Sequence, residues 1–161
     1  MKKIKRGFCA FLIAAMAMVL TACSGGDSKQ VSLDLARVSE DLNGTISTDK
    51  LTQADSSMLS SIYFFEEDQV KEIVAFLSSG ATADEICVCE CKDADAAASM
   101  KKLFKSRVES QSELYASYKA EEVDKLDNAL IETVGNYAVL VVSDDYDTAR
   151  NILTKHGFKI G

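Results

Sequence analysis

The sequence predicts an α+β domain: an antiparallel sheet of about four strands, built as two hairpins, with a long helix and shorter helices packed on one face. Three observations carry this. Two pairs of apolar runs are each joined by a turn signal, at Ser79-Gly80 and Gly135-Asn136. Between the pairs, Asp93 to Tyr118 places apolar residues at helical spacing. Shorter amphipathic stretches stand before the first pair and after the second, which is the order of an α+β chain.

Ahead of that domain, residues 1–22 read as a lipoprotein signal peptide. Met1-Lys2-Lys3-Ile4-Lys5-Arg6 is positive and contains no acid, which fixes this end on the cytoplasmic side. Gly7 to Leu20 carries no charge and is apolar, yet falls short of the roughly 20 apolar residues a spanning helix needs. Leu20-Thr21-Ala22-Cys23 then has the form of a lipobox, with cleavage expected between Ala22 and Cys23. The Cys23 thiol would take a diacylglyceryl group, and its freed amine an acyl chain. Each buried methylene adds about 0.8 kcal/mol to membrane attachment, so two chains or more hold far better than one. Residues 23–30 read as the lipidated cysteine and a flexible polar tether, and residues 31–161 as one globular domain.

Within the domain, Leu33 to Leu42 reads as a short helix with Leu35, Val38 and Leu42 on one side. Leu51 to Tyr63 reads as a second helix, and Phe64 to Asp68 fits either turn or strand. Val70 to Ser78 is taken as strand because a turn and the convincing strand Glu85 to Cys91 follow it. Asp93 is placed to cap the long helix, with Asp95 in its first turn. Ala97, Met100, Phe104, Val108, Gln111, Tyr115 and Tyr118 form its core stripe. Glu121 to Leu126 is a helical turn. Ala129 to Val134 and Tyr137 to Ser143 make the second hairpin. Asp144 or Asp145 caps a last helix that Gly157 ends.

Composition narrows the function. Four of the 18 basic residues fall in residues 1–22 and none of the 25 acidic ones, so the mature chain holds 14 bases against 25 acids, a formal charge of −11. That argues against nucleic acid and anionic lipid headgroups as electrostatic partners. There is no proline or tryptophan. Beyond Cys9 and Cys23 only Cys87, Cys89 and Cys91 remain, an odd number that cannot all pair within the domain.

Chemical motifs are sparse. On a strand, Cys87, Cys89 and Cys91 would share one face with successive spacings of about 6.6–7 Å, awkward for a tetrahedral ion or a relaxed disulfide. They read as small buried hydrophobes, and no metal site is assigned. His156 is the single histidine and reads as a surface residue near a helix end. No G-x-S-x-G elbow, S-x-x-K, calcium loop or phosphate loop occurs, and no catalytic residue or cofactor is assigned. Gln111 within an apolar stripe reads as an amide tied to neighbouring backbone or as a polar point in a ligand pocket.

Ser79-Gly80-Ala81-Thr82-Ala83-Asp84-Glu85-Ile86, Arg107 with Gln111, Tyr118, and Leu126-Asp127-Asn128-Ala129 leading to Gly135-Asn136-Tyr137 form a pattern. It resembles a family of small lipoproteins and exported proteins of low-GC Gram-positive bacteria, known only as a domain of unknown function. The resemblance spans about residues 31–158. It implies an envelope location and supplies no catalytic residue. The family strand after the Asp-Glu pair is mostly apolar, which puts the three cysteines in core-like places. A proline that often follows the Tyr118 region in the family is missing from this chain.

The expected function is that of a membrane-anchored lipoprotein on the extracytoplasmic face of the cell membrane. It is expected to be non-catalytic and to contact an extracytoplasmic protein or a small ligand. The candidate pocket comprises Asp84, Glu85, Arg107, Gln111 and Tyr118. Alternatives are an envelope enzyme with an unfamiliar site at Asp84, Glu85 and Arg107, or a protein that handles metal through its thiols.

Overall fold

The computed structural model describes residues 32–45 and 49–160. The expected signal peptide, the lipobox with Ala22 and Cys23, and the tether lie outside the described residues.

Among the described residues five α-helices and five strands follow one another as α1 (Leu35–Asn43), β1 (Thr52–Gln53), α2 (Ser56–Tyr63), β2 (Val70–Leu77), β3 (Glu85–Cys91), α3 (Ala94–Tyr118), α4 (Val123–Asp127), β4 (Leu130–Val134), β5 (Tyr137–Val142) and α5 (Tyr146–Lys155). The strands form one antiparallel sheet in the order β1-β2-β3-β5-β4. The α+β class and both hairpins are as the sequence predicts.

Three details differ. The stretch from Leu51 to Tyr63 is not one helix. Thr52 and Gln53 pair with Leu77 and Phe76 as a short fifth strand. Asp55 then starts α2, its carboxylate accepting the Ser57 N–H at 2.9 Å and the Ser57 hydroxyl at 2.8 Å. An aspartate that bonds its own downstream backbone favours a cap over a helix interior, which breaks the expected helix at that point. Phe64 to Asp68 forms neither a strand nor a simple turn: Phe64 ends α2 with a left-handed φ of 60° and a 3₁₀ turn spans Glu67–Gln69.

The third difference is that helices cover both faces of the sheet. Alternation along the central strands explains it. Cys87, Cys89 and Cys91 of β3 and Ala138, Leu140 and Val142 of β5 face a core layer shared with Leu59 and Tyr63 of α2 and with Ala97, Met100 and Phe104 of α3. Ile86, Val88, Tyr137, Val139 and Val141 face the other way, against Leu35, Val38 and Leu42 of α1 and Ala149 and Leu153 of α5. Apolar residues at both parities leave β3 and β5 buried on both sides, so one covered face could not satisfy them.

The ends of the elements are chemically specified. Asp93 accepts the Ala96 N–H at 2.8 Å and opens α3. Asp145 accepts the Thr148 N–H at 3.1 Å and opens α5. At the other end of α5, Gly157 takes φ 92°, the Phe158 N–H reaches the Leu153 carbonyl, and the Gly157 N–H reaches that of Thr154. That is the Schellman arrangement, and Phe158 and Leu153 share one apolar layer as it requires. His156 lies 3.4 Å from Asp41 and links α5 to α1.

Candidate functional site

The β2–β3 loop folds over the middle of α3 and forms a polar corner. Its geometry begins with Glu85, the first residue of β3, which strand alternation puts on the α3 side of the sheet. Arg107 rises from the fourth turn of α3 and grips it. Nη2 lies 2.9 Å from Oε2 and Nε 3.3 Å from both carboxylate oxygens. The Glu85 side chain is only 8% exposed, so it needs this partner. The Arg107 guanidinium also stands 6.0 Å above the Tyr63 ring, within reach of a cation–π contact.

One residue earlier, Asp84 faces Lys125 of α4 at 3.0 and 3.2 Å. Glu122, at the start of α4, bridges Lys125 at 3.1 Å and Lys119 at 3.2 Å. It also accepts the Ala83 N–H at 2.9 Å. Burial alone would raise the Glu122 carboxyl, but the Ala83 N–H and the two lysines more than offset it and hold its pKa below the ordinary glutamate range. Burial works against the Lys125 ammonium in the same way, and Asp84 and Glu122 overcome it, so its pKa is raised.

The loop itself is pinned from both sides. Asp49 accepts hydrogen bonds from the hydroxyls of Ser78 at 2.6 Å and Thr82 at 3.0 Å. The Ser78 bond is the main reason its carboxyl is lowered. From the helix side, the Tyr115 hydroxyl donates to the Thr82 carbonyl. Burial pushes the Tyr115 phenol up.

Between the loop and α3 these groups enclose a cleft of about 300 Å³, polar in its lining. Asp84, Glu85, Arg107 and Gln111, four of the five residues singled out from the sequence, line it together with Tyr115 and Thr82. Tyr118 does not. It stands 56% exposed at the end of α3, its ring 5.0 Å from that of Tyr115. Gln111 is half-buried and its side chain makes no hydrogen bond among the described residues, so the amide is not the backbone tie that one reading of its position predicts.

Sequence reasoning passed over Lys119, Glu122, Lys125 and Asp49. The i,i+3 pair Glu122 and Lys125 on one helical turn was a usable signal for part of this set. Asp49 gave none, because its partners lie 29 and 33 residues away.

The three cysteines are free and fully buried. Their spacing differs from the expectation: Cys89 and Cys91 Sγ approach to 3.8 Å. The backbone period sets the Cα spacing, but the side-chain torsions turn these two sulfurs toward each other. The contact with Cys91, then burial, raises the Cys89 thiol, and the same contact lowers that of Cys91. Among the described residues no group of three or more His, Cys, Asp or Glu side chains is arranged to hold a metal ion. Tyr63 adds a buried polar atom next to the site: its hydroxyl meets no hydrogen-bond partner among the described residues, and burial, then the nearby Cys87 and Glu85, push its pKa well up.

A family model for a domain of unknown function, DUF4358, matches residues 45–143, more than half of the chain. The chain belongs to the DUF4358 family. The matched region contains all five strands, α2, α3 and α4, and hence the whole cleft. Helices α1 and α5, which cover the opposite face of the sheet, lie outside it. No curated protein and no solved structure matches the chain.

Proposed function

We propose that this DUF4358 domain is a lipid-anchored envelope protein that binds a small polar ligand, or a polar segment of an extracytoplasmic protein, in the cleft between the β2–β3 loop and α3. The anchor reading rests on the sequence: a basic start, an apolar stretch, Leu20-Thr21-Ala22-Cys23 and a polar tether in that order. Membership of the exported proteins of low-GC Gram-positive bacteria belongs to the same reading.

One observation carries the binding reading. The charged side chains of the cleft, Asp84, Glu85 and Arg107, are already in ion pairs, while the Gln111 amide in the same lining has no hydrogen-bond partner among the described residues. The Glu85 pair engages Nε and Nη2 of Arg107 and holds that side chain in place in the same lining. Paired charges hold a rigid shape, whereas an amide with unused N–H and C=O groups recognises the carbonyl, hydroxyl or N–H groups of a ligand. The site is therefore built to hold rather than to transform, and the enzyme reading at Asp84, Glu85 and Arg107 is the weaker one.

Two measurements test the proposal. Cells grown with labelled palmitate should label the wild-type chain and leave Cys23→Ser unlabelled and released from the membrane. An equally labelled variant would end the anchor reading. For the cleft, a thermal-shift screen of uncharged polar compounds on the full chain should yield hits that Gln111→Leu abolishes. Hits that survive Gln111→Leu, or no hits at all, would remove the cleft from consideration.

A further inference from the structure

We infer that the outer edge of β2 is a strand-addition site that takes an extended, cationic segment of another polypeptide. Strand β1 is two residues long and pairs with β2 only at Leu77 and Phe76. One more bond, from the Ala54 N–H to the Ala75 carbonyl at 2.9 Å, closes the contact before the chain leaves for α2. Alternate residues of a strand turn their N–H and C=O groups to the same edge. Leu77 and Ala75 face β1, so Ile73 is the next residue to present its backbone outward. Among the described residues no backbone group meets it there.

Beside this open stretch runs a groove of about 370 Å³, lined by Ser56 and Ser60 of α2, by Phe65, and by Val70 to Ile73 of β2. An unpaired edge asks for backbone donors and acceptors, and an added strand supplies them. Protein edges are usually blocked by proline, by inward charge or by a covering segment. This chain has no proline. Lys71, the one basic residue of the edge, is held by Glu90 at 3.0 Å. Ser56 and Ser60 stand one helical turn apart and are small, which leaves width for a strand, while Phe65 and Ile73 offer it an apolar contact.

Charge selects the occupant. Glu67 and Glu72 line the groove, are exposed, and have no ion-pair partner among the described residues. Glu66 and Asp68, the exposed chain neighbours of Glu67, add to the local negative charge. A second copy of this chain would bring one acidic rim against another, so a lysine- or arginine-bearing segment of a different protein fits better.

The test uses the full chain in detergent micelles and a fluorescein-labelled peptide of repeated Lys-Thr-Val. The peptide should bind, and the Ile73 amide, fast to exchange in the free protein, should slow at least about tenfold when it does. Methylating alternate peptide nitrogens should abolish binding. The exposed double change Glu67→Lys with Glu72→Lys should weaken it by about three- to tenfold. Four results would overturn the inference: no binding, binding that leaves Ile73 exchange unchanged, binding indifferent to the double change, or an Ile73 amide already slow without peptide. If that last slowing grows with protein concentration, a second copy occupies the edge instead.

Discussion

Arg107 reaches across the cleft to Glu85, a carboxylate 8% exposed, and joins the middle of α3 to the first residue of β3 with Nη2 2.9 Å from Oε2. The pair ties the long helix to the sheet at the place where the candidate site opens, so stability and site geometry share one contact.

Arg107→Met should therefore destabilise the domain by about 2–3 kcal/mol in urea unfolding, because it leaves a buried carboxylate without a counter-charge. Adding Glu85→Gln should return much of that loss. If the single variant unfolds at the wild-type urea concentration, the pair contributes nothing.

Acid should loosen the corner through Glu122. Its folded-state pKa lies below the unfolded one, so the unfolded chain binds more protons as pH drops. The stabilisation is thus fully present above the ordinary glutamate range and is lost as pH falls below about 4.5 and through the lowered folded value. Glu122→Gln should be less stable at neutral pH and show a shallower decline in stability between about pH 5 and pH 3. Parallel pH curves for variant and wild type would contradict this.

The Tyr63 hydroxyl is buried without a hydrogen-bond partner among the described residues, so its removal sacrifices none of the bonds described and relieves an unsatisfied dipole. Tyr63→Phe should be as stable as wild type or up to about 1 kcal/mol more stable by denaturant melting. A clear loss of stability would mean that the hydroxyl has a partner in solution.

Cys87, Cys89 and Cys91 are inaccessible, and burial raises the Cys87 thiol well above its usual value. Brief iodoacetamide treatment should leave all three unmodified in the native protein and alkylate all three in urea, as read by peptide mass spectrometry. Native labelling at Cys91 would show that this end of β3 opens.

Much of the architecture was legible because its signals are local. Gly135-Asn136 between two apolar runs specifies a hairpin, with Gly135 at φ 56°, and Asp93 marks the start of α3. The break inside Leu51–Tyr63 was hidden because β1 exists only through its pairing with Leu77 and Phe76, a relation between distant parts of the chain. The two-sided burial was present in the unbroken run Ile86-Cys87-Val88-Cys89, although the cysteines could be read as a motif rather than as one parity of a buried strand. Most of the cleft was found because Asp84, Glu85, Arg107 and Gln111 sit on well-defined elements. Lys119 and Asp49 join the network that holds the loop around it through tertiary folding alone.

Strand β3 answers to two masters by parity. Glu85, Cys87, Cys89 and Cys91 belong to the α3 side, and Ile86 and Val88 to the α1 side. Insertion or deletion of a single residue within it would exchange the two sets and turn the Glu85 carboxylate into the apolar layer. Loops around this strand can thus change length freely, but a one-residue indel inside it should be lethal to the fold, while substitutions on one parity can drift without consulting the other.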